Sequence, residues 1–114
     1  MPYIAATLSK KLTDEEKISL KSGFGKAIEC IKGKSEAWLM VSISDGVDMY
    51  FKGDNSKPCA YISVEVFGTT SKKDCDEMTS VLCTLINDVT GIPEECTYVT
   101  YTDRDKWGWN GSNF

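Results

Sequence analysis

The chain has 114 residues, 41% of them hydrophobic, which is the size of one domain with enough apolar material for a single core. Its 13 basic and 17 acidic side chains are interspersed and leave a net charge of −4, so it has no electrostatic footprint for nucleic acid or an anionic membrane surface. No segment approaches the ~20 apolar residues that span a bilayer and no basic-then-apolar leader opens the chain, so a soluble protein without a classical secretion signal is expected.

Met1-Pro2 opens a short β-like run from Tyr3 to Leu8. Initiator methionine is normally removed before a small residue, and its removal here leaves Pro2 as a free secondary amine. An α-amino group titrates near ~7.7–8.0, and burial of the cation or a neighbouring positive charge moves it toward neutrality. Histidine is absent, so only this amine and the thiols can easily act as a base near pH 7.

Thr13 followed by Glu16 has the form of a capping box and opens a helix. Ile18, Leu20, Phe24, Ala27, Ile28 and Ile31 recur at helical spacing up to Gly33, which ends it. A second β-like run covers Ala37 to Ser44, and the Gly- and Asn-bearing segment Asp45 to Lys57 reads as a connection. The third run, Cys59 to Phe67, alternates Ile62, Val64 and Val66 with Ser63 and Glu65, the period of a half-buried strand. Ser71 and Asp74 open a second helix that carries Met78, Val81, Leu82, Leu85, Ile86 and Val89 and ends at Gly91. A fourth β-like run spans Cys96 to Thr102.

These elements repeat. At an offset of 58 residues Tyr3-Ile4 falls on Tyr61-Ile62, Thr13 on Ser71, Gly33 on Gly91, Val41 on Val99 and Asp45 on Asp103. The expected fold is therefore α+β: a single domain over 1–114 with an internal repeat of 1–45 and 59–103, in which two β-α-β units form one four-stranded sheet with both helices on one face. The other face, with Trp38, Met40, Tyr61, Phe67, Tyr98 and Val99 on its strands, is expected to be covered by self-association. Five cysteines, an odd number without a Cys-x-x-Cys pair, fit a reducing compartment. With no histidine and no closely spaced cysteine pair, no structural metal and no cofactor are expected.

Several strings resemble one family: Met1-Pro2 opening a strand, Gly33-Lys34 after the first helix, Pro58-Cys59-Ala60 opening the third strand, Phe67-Gly68 closing it, and Trp107-Gly108-Trp109-Asn110-Gly111-Ser112-Asn113-Phe114. Together they are similar to the macrophage migration inhibitory factor family over the whole chain. The resemblance implies a homotrimer whose sheets form an inner barrel. It also implies keto-enol tautomerisation of phenylpyruvate-like enols or dopachrome methyl ester, with Pro2 as catalytic base. Lys34 would supply a cation for a substrate carboxylate and help hold the amine unprotonated. The backbone amide at Phe67, where the family often has isoleucine, would hold that carboxylate too. Trp109 would line the apolar mouth. Tyr98 and Thr100 would face Pro2 from a neighbouring subunit. Thr100 stands where the family more often has asparagine, and offers one hydroxyl in place of a two-donor amide.

Taken singly, each residue has a plainer reading: Lys34 as a lysine answering a helix dipole, Tyr98, Phe67 and Trp109 as core or interface aromatics, and Thr100 as an ordinary strand residue. Their joint occurrence with Pro2 favours the site. The dithiol chemistry of some family members is not expected, because Cys59-Ala60-Tyr61-Ile62 lacks the second thiol. The rival reading is a secreted signalling ligand with an incidental pocket, exported without a signal peptide and meeting a cell-surface receptor through Asp45 and Lys11. The tautomerase reading places the protein in the cytoplasm.

Overall fold

Alternation in the opening segment makes the first strand. In the computed structural model, which describes residues 1–114, Pro2, Ile4, Ala6 and Leu8 of β1 (Pro2–Leu8) are buried, while Tyr3, Ala5 and Thr7 lie on the opposite face. β2 (Met40–Ser44) runs parallel to β1, β3 (Ala60–Phe67) antiparallel to it, and β4 (Thr97–Arg104) parallel to β3, giving the order β2-β1-β3-β4. Each parallel pair needs a crossover. The helices α1 (Asp14–Ala27) and α2 (Lys72–Thr90) supply them and cover the buried face. This is the expected α+β architecture.

Between sheet and helices, Ile4, Leu8, Phe24, Ile28, Ile62, Met78, Leu82 and Ile86 are completely buried. The two helices approach closely at Gly23, where Leu85 fills the space that a side chain would need. Both helix starts are built as the sequence indicates. Thr13 Oγ1 accepts from Glu16 N while Glu16 Oε1 accepts from Thr13 N, and Ser71 Oγ accepts from Asp74 N. Gly91, at φ 78°, ends α2 in the left-handed conformation that glycine adopts without strain.

The internal repeat extends to side-chain hydrogen bonds. Asp45 accepts from the amide of Leu12, just before the first cap, and Asp103 accepts from the amide and hydroxyl of Thr70, just before the second. On the open face Tyr3 bonds Ser42 and Tyr61 bonds Thr100, again at equivalent positions.

The structure corrects several boundaries. The first helix stops at Ala27 and continues as a 3-10 turn, Ile28–Cys30, rather than running to Gly33. Tightening the chain here carries buried Ile31 into the core before the reversal at Gly33 (φ 81°). Ile18 is 62% exposed. It is two residues from Leu20, about 200° around the helix, and so cannot share that face. Ala37 and Trp38 lie in a 3-10 turn (Glu36–Trp38), and β2 begins only at Met40. Val99, paired with buried Ile62, packs on the helix side of the sheet, not on the open one. The C-terminal string forms a further hairpin, β5 (Gly108–Trp109) with β6 (Ser112–Asn113). Its turn residues Asn110 and Gly111 both have positive φ, as a two-residue hairpin with matching twist requires.

Candidate active site

The chain start, the turn before β2 and the C-terminal hairpin surround the largest surface cavity, about 500 Å³. Pro2 and Tyr3 enter it from β1, Trp38 and Met40 from the turn and start of β2, Glu65 from β3, and Trp107 and Trp109 from the C-terminus. The Trp38 and Trp109 rings meet edge to face with centroids 5.4 Å apart. Trp109 stacks over Phe114 at 6.4 Å, and Phe114 packs on Phe67 at 5.5 Å. The result is one aromatic wall drawn from three distant stretches of chain.

Lys34 reaches this end of the molecule because of the turn before it. Gly33 reverses the chain, and Lys34 N–H donates to Ile31 O at 3.0 Å. The Lys34 ammonium then donates to Phe67 O at 2.8 Å, across to the end of β3. It does not answer a helix dipole, because α1 ends at Ala27. Phe67 N–H donates to Met1 O at 2.9 Å, so the Phe67 amide and the Lys34 ammonium converge on the first residue. Partial burial, and then the adjacent Lys34 charge, hold the Met1 amine below its ordinary value. With Met1 attached, the Pro2 nitrogen is an amide and has no basic lone pair.

Of the six candidate residues, Pro2 and Trp109 line the cavity, while Lys34 and Phe67 close on its Met1 end. Tyr98 and Thr100 are not brought to Pro2 within one chain. They lie on the open face of β4, separated from β1 by β3. Tyr98 packs edge to face on Phe51 at 5.3 Å, and Thr100 shares a 3.0 Å hydrogen bond with Tyr61. Trp38, Met40, Glu65 and Trp107 were not among the candidates yet line the cavity. The Asn110-Gly111 pair inside the aromatic tail is a local hairpin signal, and the hairpin it forms flanks the cavity with Trp109 on its first strand and Trp107 just before it. No local pattern distinguished Trp38 in a turn from Trp38 on a strand. Asp45, considered as a receptor contact, is committed to the Leu12 amide and the Lys17 ammonium.

Fold and cavity define a class: a duplicated β-α-β domain whose N-terminal strand opens into an aromatic-walled cavity beside a lysine. The family model described as macrophage migration inhibitory factor matches residues 1–114. Macrophage migration inhibitory factor of Xenopus laevis is 30% identical over 98 residues, covering 84% of each chain. Leishmania major MIF2 superposes with a TM-score of 0.92 at 32% identity, covering 100% of this chain and 97% of its own. The homologue from Prochlorococcus marinus superposes with a TM-score of 0.83 at 29% identity, covering 98% of each. The chain belongs to the macrophage migration inhibitory factor family.

Proposed function

We propose that the protein is a keto-enol tautomerase of phenylpyruvate or dopachrome type, with the Pro2 nitrogen as its base once Met1 has been removed. The observation that carries this reading is the convergence of the Lys34 ammonium and the Phe67 N–H at the chain start, beside an aromatic cavity. Without Met1, the Phe67 amide loses its carbonyl acceptor and is free to donate to a substrate carboxylate. Lys34 supplies the opposite charge to that carboxylate. The lining of Trp38, Trp107 and Trp109 suits an aromatic ring.

In the reaction, the neutral amine takes a proton from the enol oxygen or the carbon next to the carbonyl and returns it at the other atom. No other reactant is consumed. The base must be unprotonated at working pH, and partial burial and Lys34 both favour that state at this end of the chain. Completion of the pocket is assigned to a homotrimer, in which Tyr98 and Thr100 of one subunit face Pro2 of the next. Their position on an open sheet face, away from Pro2 of their own chain, supports this assignment.

The test is conversion of hydroxyphenylpyruvate by two preparations distinguished by mass, one with Met1 and one without. Activity confined to the Met-free form is expected. Full activity in the Met-bearing form refutes the proline base, and inactivity of both removes the enzyme reading in favour of a binding or signalling protein on the same scaffold.

A further inference from the structure

We propose that Arg104 is a positioning residue of this site: it holds the Glu65 carboxylate in place and neutralises it beside Pro2, so that the base of the Met-free chain remains uncharged near neutral pH. This rests on the reading of Pro2 as the base.

Glu65 lines the same cavity as Pro2 and pairs across the strands with Tyr3, while Pro2 itself pairs with the next residue, Val66. A carboxylate in that position stabilises a nearby ammonium and works against Lys34. Arg104 meets it from β4: Nε donates to Glu65 Oε1 at 2.8 Å, and Nη2 lies 2.7 Å from the same oxygen. The Glu65 side chain is only 27% exposed, so its charge is less screened than that of a surface pair.

The internal repeat shows that the fold does not require this ion pair. At the same offset of 58 residues, Glu65 corresponds to Thr7 and Arg104 to Gly46, so the first half has neither charge. Elsewhere the halves match in function: Asp45 with Asp103, and the Tyr3–Ser42 bond with Tyr61–Thr100. The symmetry is broken on the half that carries the Phe67 amide, and it is broken by adding a carboxylate together with its own counter-charge.

The other charged groups around Pro2 leave the pair as the adjustable element. From the turn before β2 comes Lys34, fixed on Phe67 O. The Tyr3 hydroxyl on β1 is bonded to Ser42, and Asp103 on β4 is held by Thr70. Asp105 and Lys106 pair with each other in solvent, and the C-terminal hairpin presents tryptophans to the cavity. The Glu36 carboxylate lies over Gly25 of α1, in the space a side chain there would fill.

The experiment uses Met-free protein labelled with ¹⁵N-proline. It compares the Pro2 nitrogen titration by NMR with the pH dependence of kcat/KM for hydroxyphenylpyruvate. Arg104→Gln is expected to move the NMR midpoint and the acidic limb of the rate profile upward by about one pH unit. Glu65→Gln should move both downward, the double variant should return them close to the parent, and Arg104→Lys should preserve most of the parent behaviour. The opposite signs of the single variants keep the test valid should one of them fold poorly. An unmoved midpoint in Arg104→Gln, or a raised KM with an unmoved acidic limb, overturns the proposal; the second result would make Arg104 a substrate ligand. Failure of the parent to turn over substrate at any pH would count against the tautomerase reading, while the NMR midpoints would still decide the role of Arg104.

Discussion

Lys34 shows how one side chain changes meaning when its surroundings are known. In sequence it follows a glycine after a helix; in space its ammonium lies on Phe67 O beside the chain start. Lys34→Ala is expected to raise KM for hydroxyphenylpyruvate about tenfold or more, from loss of a charge-assisted contact of ~1.5–3 kcal/mol. The methyl ester, which lacks the carboxylate, should be affected much less; equal effects on both substrates would remove Lys34 from carboxylate binding. Pro2→Ala retains an amine but loses the ring, and is expected to lower kcat strongly when assayed on mass-verified, Met-free protein. Pro2 was legible because Met1-Pro2 is a local feature. The convergence of Phe67 and Lys34 on the neighbouring Met1 was not, since it depends on chain segments more than thirty residues apart.

The helix caps and the ties behind them are the most legible features of the elements. Thr13→Ala removes the Oγ1 acceptor of the first capping box, leaving only the backbone N–H of residue 13 bonded to Glu16, and is expected to cost about 1 kcal/mol, read as a lower midpoint in chemical denaturation. Asp45 is held below the ordinary carboxylate range, first by the Leu12 amide and then by Lys17. Its stabilising contribution is present at neutral pH and is lost as pH falls through that lowered value, so Asp45→Asn should flatten the acid limb of stability against pH. At the other extreme, burial pushes Tyr101 up to about 12, and its hydroxyl donates to Cys75 O and shares a hydrogen bond with Thr79. A raised value means stability retained below pH ~10 and lost as pH climbs toward 12. Thermal melts across that interval should show this loss in the parent and its absence in Tyr101→Phe. Where the first helix ends was less legible, because the glycine that stops the pattern at Gly33 serves a tight turn five residues beyond the 3-10 segment's start at Ile28, and only packing of Ile31 into the core separates the two.

The whole molecule presents one sheet face without helices. That face mixes aromatics with paired polar groups: Tyr98 is 59% exposed and Met40 69%, while Tyr3, Tyr61 and Glu65 are each bonded across strands. The proposed association of three chains would cover it and would set Tyr98 and Thr100 of one chain against Pro2 of the next. Light scattering on the intact protein is expected to give the mass of a trimer. Tyr98→Arg should both weaken that assembly and lower activity, whereas a fully active single chain would assign the pocket to one subunit alone.

Sequence by itself determined the repeat, the strand alternation, both helix starts, the glycine stop at Gly91 and the proline at the chain start, because all are signalled over a few residues or by matching at one offset. Only the tertiary structure decided that Lys34 closes on Phe67, that a turn rather than a strand presents Trp38, and that Arg104 reaches Glu65 across β3 and β4. Caps and periodicity arise from local backbone geometry, whereas these contacts depend on sheet register and helix packing, which set the distance between residues far apart in the chain.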